Sequence, residues 1–313
     1  MHLILLIAAL VGPAWPADRI PGLQRALIQV GRGHPRGVLP RLEAMLEAHP
    51  EHARLRAVAG IAYADVGLGP RAVELFEGAD ERTLVVMQSV ARADALRDAG
   101  RPREAAALRW TALVSGERQS RLGWIAAAGA VDCLQADDLD CAARFVELGW
   151  AVDAEPVVWG ALSAIEAEID VQAGLLDEAE VLLAIAERGS GKAAHRAVAR
   201  VALLLAYDEP RAAAEFATAS LREVSHDVRL LALAAEAWRR AGAPDLALEL
   251  CRSKRYTWKG EVVQPLLRQE EVLALLALGE REEAERRAAD LMAELPEHRA
   301  AAVVAAALGH RWD

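Results

Sequence analysis

The sequence predicts an all-α chain: a solenoid of about eight helix–turn–helix repeats followed by a C-terminal capping helix. Three observations predict it. Alanine supplies 68 of the 313 residues; it is the best helix former and too small to build a wide sheet core. A turn-like block recurs at intervals of 33 to 38 residues. Small and large residues recur at fixed offsets from that block, as stacked repeats require. The 54% hydrophobic content excludes disorder, and three cysteines are too few for a disulfide scaffold.

The elements follow in chain order. Met1 and His2 precede an unbroken apolar run, Leu3–Val11, then Gly12, Pro13, Ala14, Trp15, Pro16 and Ala17. A short apolar core, a proline break and small residues make the layout of a secretory signal, too short to span a bilayer. Residues 1–17 are therefore assigned to a signal peptide or N-terminal apolar segment, and the chain to the periplasm or cell envelope. It would be cytoplasmic if that segment is not a signal. No cysteine near the cleavage zone offers a lipoprotein anchor, and no integral membrane domain is expected after signal removal.

Residues 18–296 carry the repeats, starting near 18, 53, 86, 122, 160, 193, 228 and 265. Their turn blocks begin at Gly67, Gly100, Ala136, Gly174, Tyr207, Gly242 and Gly279, with a degenerate copy at Arg32–Gly37. Glycine ends a helix in the left-handed region, and proline or acidic residues just after it suit the next helix's first turn. Seven positions before the turn stand Gly60, Ala93, Gly129, Ala167 and Ala235. Five after it stand Ala72, Ala105, Ala179, Ala247 and Ala284, and nine after it Phe76, Phe145, Leu183 and Phe216. Small residues let the two helices approach; large ones fill the gap beside them. Residues 297–313 read as the capping helix and tail.

Gly60, Tyr63, Gly67, Ala72 and Phe76 together carry a pattern that resembles the tetratricopeptide repeat family, here a bacterial exported member. The resemblance covers about Asp18 to Pro296. Arg32, Ala136 and Tyr207 depart from the turn glycine. The resemblance implies a right-handed superhelix with the first helix of each pair lining a concave groove. Helical spacing then places Arg54, Ala57, Ile61 and Asp65 on that face, followed by Val90, Asp94 and Arg97. Ala126, Ala130, Ala164, Glu168, Ala197 and Val201 continue it, and Glu236, Arg239, Gln269 and Leu273 complete it. The chain has no asparagine, so the Lys and Asn clamp with which some family members hold a C-terminal carboxylate is absent.

No chemistry-bearing motif competes with this reading. The net charge of −10 gives no dominant basic face for nucleic acid. Ala186–Ala193 only faintly resembles a phosphate-binding loop: Ala186 and Ala193 occupy places that need glycine and a hydroxyl residue. His49 and His52 lack a third metal ligand at suitable spacing, and no nucleophile elbow or HExxH is present. No cofactor, metal or catalytic residue is assigned. Cys133 and Cys141 flank a turn, either as a disulfide or as two small packing residues; Cys251 reads as a buried thiol. Trp110, Trp124, Trp150 and Trp159 either fill gaps or form a binding patch. Lys254–Lys259 reads as a basic-aromatic loop and Glu280–Glu285 as a solvated helix face.

The expected function is a non-enzymatic scaffold that binds a protein or peptide partner in the concave groove. The alternative is a structural part of a larger envelope complex that docks through its convex side and its last helix, Ala300 to Trp312.

Overall fold

The computed structural model describes residues 20–32, 34–77, 85–114, 122–152, 155–188, 193–224, 227–253, 257–258, 261–262 and 264–309. The signal-like segment at 1–17, the loop at 189–192, Lys254–Tyr256, Lys259 and Trp312 lie outside the described residues.

Among the described residues, seventeen helices follow one another. They are α1 (Leu23–Gly31), α2 (Pro35–Ala48), α3 (Ala53–Asp65), α4 (Gly69–Glu77), α5 (Val85–Asp98) and α6 (Pro102–Val114). Then come α7 (Leu122–Gln135), α8 (Leu139–Ala151), α9 (Pro156–Ala173), α10 (Leu176–Arg188), α11 (Ala193–Ala206) and α12 (Pro210–Ser220). The series ends with α13 (Val228–Arg240), α14 (Pro244–Cys251), α15 (Pro265–Leu278), α16 (Arg281–Glu294) and α17 (Arg299–Leu308). The segment expected as a plain loop instead contains a two-residue antiparallel ribbon, β1 (Thr257–Trp258) against β2 (Glu261–Val262).

The chain divides into two compact units between Leu108 and Arg109, within α6. In the first unit, α1 packs on α2 and α3, and α3 packs on α2, α4 and α5. In the second, from α7 to α17, every odd-numbered helix packs on the next helix and on the next odd-numbered one. Each unit is thus an array of antiparallel helix pairs stacked in chain order, an all-α helical repeat.

The turns explain the regularity. Gly67, Gly100, Gly174, Gly242 and Gly279 have φ between 80° and 85°. In each case the following amide N–H donates to a carbonyl five residues back, at 2.8 to 3.0 Å (Leu68 to Tyr63, Leu175 to Asp170). This pattern satisfies the carbonyls left open at a helix end. The two turns without glycine use Asp137 and Asp208, with φ of 55° and 58°, and the same bond follows at Asp138 and Glu209. Aspartate is one of the few side chains that tolerates this region. These residues, and not Ala136 and Tyr207, occupy the turn position, so both degenerate blocks are displaced by one residue from the expected alignment.

That displacement carries through the core. Counting from Asp137 and Asp208, Ala142 and Ala213 fall five residues on, and both are fully buried. Phe216, expected in the core, is 40% exposed, while its neighbour Ala217 is buried. Elsewhere the small-against-large arrangement is present: a β-carbon built on Gly60 would lie 2.8 Å from the Phe76 ring. At the Asp137 turn itself the expected pair keeps its positions: a β-carbon on Gly129 would overlap the Phe145 ring. Arg109 and Asp132 form an ion pair at 2.5 Å with side chains 3% and 0% exposed, inside the second unit.

Candidate functional groove

The second unit contains a groove of about 380 Å³. Its wall draws residues from α7, α9, α11, α13, α15 and α17, which are all the odd-numbered helices of the unit. Odd helices face it because each passes its even-numbered partner on one side and the next odd helix on the other. One stripe is left open.

Ten polar side chains line the groove, among them Glu168, Arg229, Glu236, Arg239, Gln269 and Glu270. Glu168 on α9 pairs with Arg229 on α13, a bond that ties two repeats together. Arg239 Nε donates to Glu270 Oε2 at 3.0 Å, and Gln269 Nε2 donates to Glu270 Oε1 at 3.1 Å. Burial pushes the Glu270 carboxyl above its ordinary range, partly offset by the Arg239 charge and opposed again by that of Glu236. Glu236 lies 3.5 Å from Arg240. Leu233, Leu266, Leu273 and Val303 supply apolar wall between these groups. The surface is therefore near-neutral, apolar patches alternating with paired charges, and most of its polarity is already held within the wall.

At the cap, His298 lies in the same wall, with its Nδ1 accepting the Ala300 N–H at 3.0 Å. Burial, then the neighbouring Arg299 charge, depresses its imidazole to about 4. It is a neutral helix cap. His52 caps α3 in the same way, accepting the Leu55 N–H at 3.2 Å. Among the described residues no three His, Cys, Asp or Glu side chains are gathered as a metal site.

Of the residues expected on the concave face, Glu168, Glu236 and Arg239 line this groove, with Gln269 and Leu273. Arg54, Asp65, Asp94 and Arg97 belong to α3 and α5 of the first unit. There Arg97 Nη1 donates to Asp94 Oδ1 at 3.0 Å, and Asp94 lies close enough to Asp65 to raise its carboxyl. Crowding by protein is the larger cause, although Asp65 keeps an open surface, and its carboxyl rises to about 7.

Seven expected residues are buried and off the groove: Ala57, Ile61, Ala126, Ala130, Ala164, Ala197 and Val201. Ile61 is 5% exposed, and Ala126 and Ala130 are fully buried. Ala130 follows Gly129, the glycine packed against the Phe145 ring, and lies on the packed side of α7 and not on the open stripe. Ala126, one turn earlier on the same side, lies against Gly149 of α8. The stripe instead uses Leu134 and Gln135 on α7 and Ala202 on α11. Arg229, Gln172 and Glu270 were missed as well. Arg229 and Gln172 lie two turns before Glu236 and one turn after Glu168, so extending the stripe would have reached them.

Cys133 and Cys141 are joined by a disulfide across the turn between α7 and α8, with Cα atoms 5.6 Å apart. Cys251 is fully buried and burial pushes its thiol upward. Trp110 meets Phe145 edge-on at 5.5 Å, and Trp150 and Trp159 are 6.4 Å apart; all three tryptophans remain 40 to 47% exposed. The acidic run on α16 is a solvated face, laced by Arg281–Glu285 at 2.8 Å and Arg287–Glu283 at 3.0 Å.

No protein-family profile matches the chain, and no curated protein sequence matches it. Among the described residues no helix is long and apolar enough to cross a membrane.

Proposed function

We propose that this chain is an exported scaffold of the bacterial envelope, similar to tetratricopeptide repeat proteins, that holds a protein or peptide segment in the groove of its second unit. The single observation that carries the reading is the groove wall: five first helices and the capping helix contribute to one continuous surface. Fixed charge pairs give that wall a rigid polar pattern, and the leucines between them supply apolar contact for a partner segment. The Leu3–Val11 run supports export, and a disulfide at Cys133–Cys141 suits an oxidising compartment.

The test is differential capture from the native envelope. Leu273→Arg places a charged side chain in the groove from a half-buried wall position. Val181 on α10, a second helix, is 62% exposed, so Val181→Asp is the control. The partner is expected to be retained by Val181→Asp and lost by Leu273→Arg, with both variants folded by circular dichroism. A partner held equally by Leu273→Arg and wild type would refute groove binding.

A second reading has its own observation. Val181, Ile185 and Phe216 on second helices are 40 to 62% exposed, an apolar surface suited to docking in a larger assembly. Loss of capture by Val181→Asp with retention by Leu273→Arg would favour it.

A further inference from the structure

The rim of the groove carries a contact that the wall does not need. Asp137, in the turn between α7 and α8, places Oδ1 2.8 Å from Arg299 Nη1 on the first turn of α17. The pair joins the first complete helix pair of the second unit to its last helix. Gln135, two residues before Asp137, and Arg299 itself both line the groove, so the contact borders it where the end of α7 and the start of α17 come together.

Both ends of the contact are held in place. The Asp137 backbone is left-handed, a conformation that the glycine turns reach without any side chain. The disulfide from Cys133 to Cys141 brackets this turn. Asp138 then fixes the start of α8 by accepting the Cys141 N–H at 2.9 Å. On the other side, the His298 cap fixes the first turn of α17 next to Arg299. A braced turn and a braced helix start thus present opposite charges to one another.

We propose that Asp137 and Arg299 form a latch at the groove mouth, and that a partner segment loads when the latch opens. The biological role rests on the groove being the binding site; the latch itself is measurable without any partner. The two side chains are 52% and 61% exposed. An ion pair this open is weak and salt-screened, so it closes the mouth without locking it. The charge pairs of the wall, Glu168–Arg229 and Glu270–Arg239, are far less exposed and stay in place when the latch opens.

The experiment places spin labels at two exposed sites, Glu147→Cys on α8 and Ala306→Cys on α17, in the full chain, with Cys251 buried and unlabelled. Pulsed electron resonance then reads the distance distribution across the contact. At low salt a single narrow distribution is expected. Salt at about 1 M, where the Debye length is about 3 Å, should broaden it and shift it to longer distance. Arg299→Glu should give the broad distribution at low salt. Asp137→Asn should do the same, because asparagine keeps the tolerance for left-handed backbone and loses only the charge. If Asp137→Asn is folded and leaves the low-salt distribution unchanged, the latch is refuted, whatever Arg299→Glu does. Failure of the groove assignment would appear instead in the Leu273→Arg capture assay, which this measurement does not use.

Discussion

At the scale of single residues, two titratable groups give this protein opposite pH slopes. His298 is neutral in the fold, its imidazole depressed from 6.5 to about 4. Between those values the unfolded chain binds a proton that the folded chain does not, so stability falls as pH drops from 6.5 toward 4. At about 1.4 kcal/mol per unit, the effect is at most about 3 to 4 kcal/mol. His298→Asn keeps a capping acceptor for the Ala300 N–H and removes the titration. Its urea midpoint should therefore change less than wild type between pH 7 and pH 4.5. Equal slopes would show that His298 is not the group responsible. Asp65 runs the other way. Its folded carboxyl is raised toward 7 by crowding and by Asp94. Its favourable contribution is therefore fully present below pH 3.8 and lost as pH rises through 7. Asp65→Asn should raise the melting temperature at pH 8 and leave it nearly unchanged at pH 4. No gain at pH 8 would mean that Asp65 ionises freely in the fold.

At the scale of helices and turns, the packing of pairs depends on where glycine is needed and where it is merely tolerated. Alanine is the better helix former by about 1 kcal/mol, so a glycine inside a helix should improve on replacement unless something occupies the space of its β-carbon. Gly37 in α2 has nothing within 4 Å of that space. Gly129 in α7 has the Phe145 ring there. Gly37→Ala should thus stabilise by roughly 0.5 to 1 kcal/mol, whereas Gly129→Ala should destabilise by about 1 to 3 kcal/mol through overpacking. Equilibrium unfolding of both variants checks the contrast, and a stabilised Gly129→Ala would contradict the close approach of α7 and α8. This scale also shows what the sequence made legible. Five turns were visible because glycine marks left-handed backbone. The turns at Asp137 and Asp208 were placed one residue early because aspartate there looks like any acidic residue at a helix start. A helical stripe rotates by about 100° per residue. Ala57, Ile61 and Ala164 are buried at the same offsets from glycine turns, so the slip adds to the misplacement of Ala126, Ala130, Ala197 and Val201 but is not its sole cause. All four are buried, and Ala202, one residue beyond Val201, lines the groove. Repeats with glycine turns supply Glu168, Glu236, Arg239 and Leu273 to the groove wall; they also hold the buried Ala57, Ile61 and Ala164.

At the scale of the whole molecule, the question is how an array of pairs ends. A stack of repeats leaves one apolar face at its terminus, which must be covered. In the second unit α17 does this: Ala300, Ala301 and Val304 pack against Val272 and Leu275 of α15 and Ala288 and Leu291 of α16, and Ala305 is buried as well. The opposite side of α17, with Ala302 and Ala306, is exposed. The apolar face of this helix is therefore used within the chain, which weakens the case for docking through it and strengthens its reading as a cap. The role of His298 and Arg299 in the groove was hidden because the cap was treated as lying beyond the repeats; spatially it supplies the last wall. Burying three alanine methyls and one valine is worth about 5 kcal/mol at roughly 0.8 kcal/mol per carbon. A chain ending at Glu297 should lose that amount and expose Val272, Leu275 and Leu291. A urea midpoint lowered accordingly, together with new binding of a hydrophobic dye, is the expected result. Unchanged stability and no dye binding would show that the stack closes without its last helix.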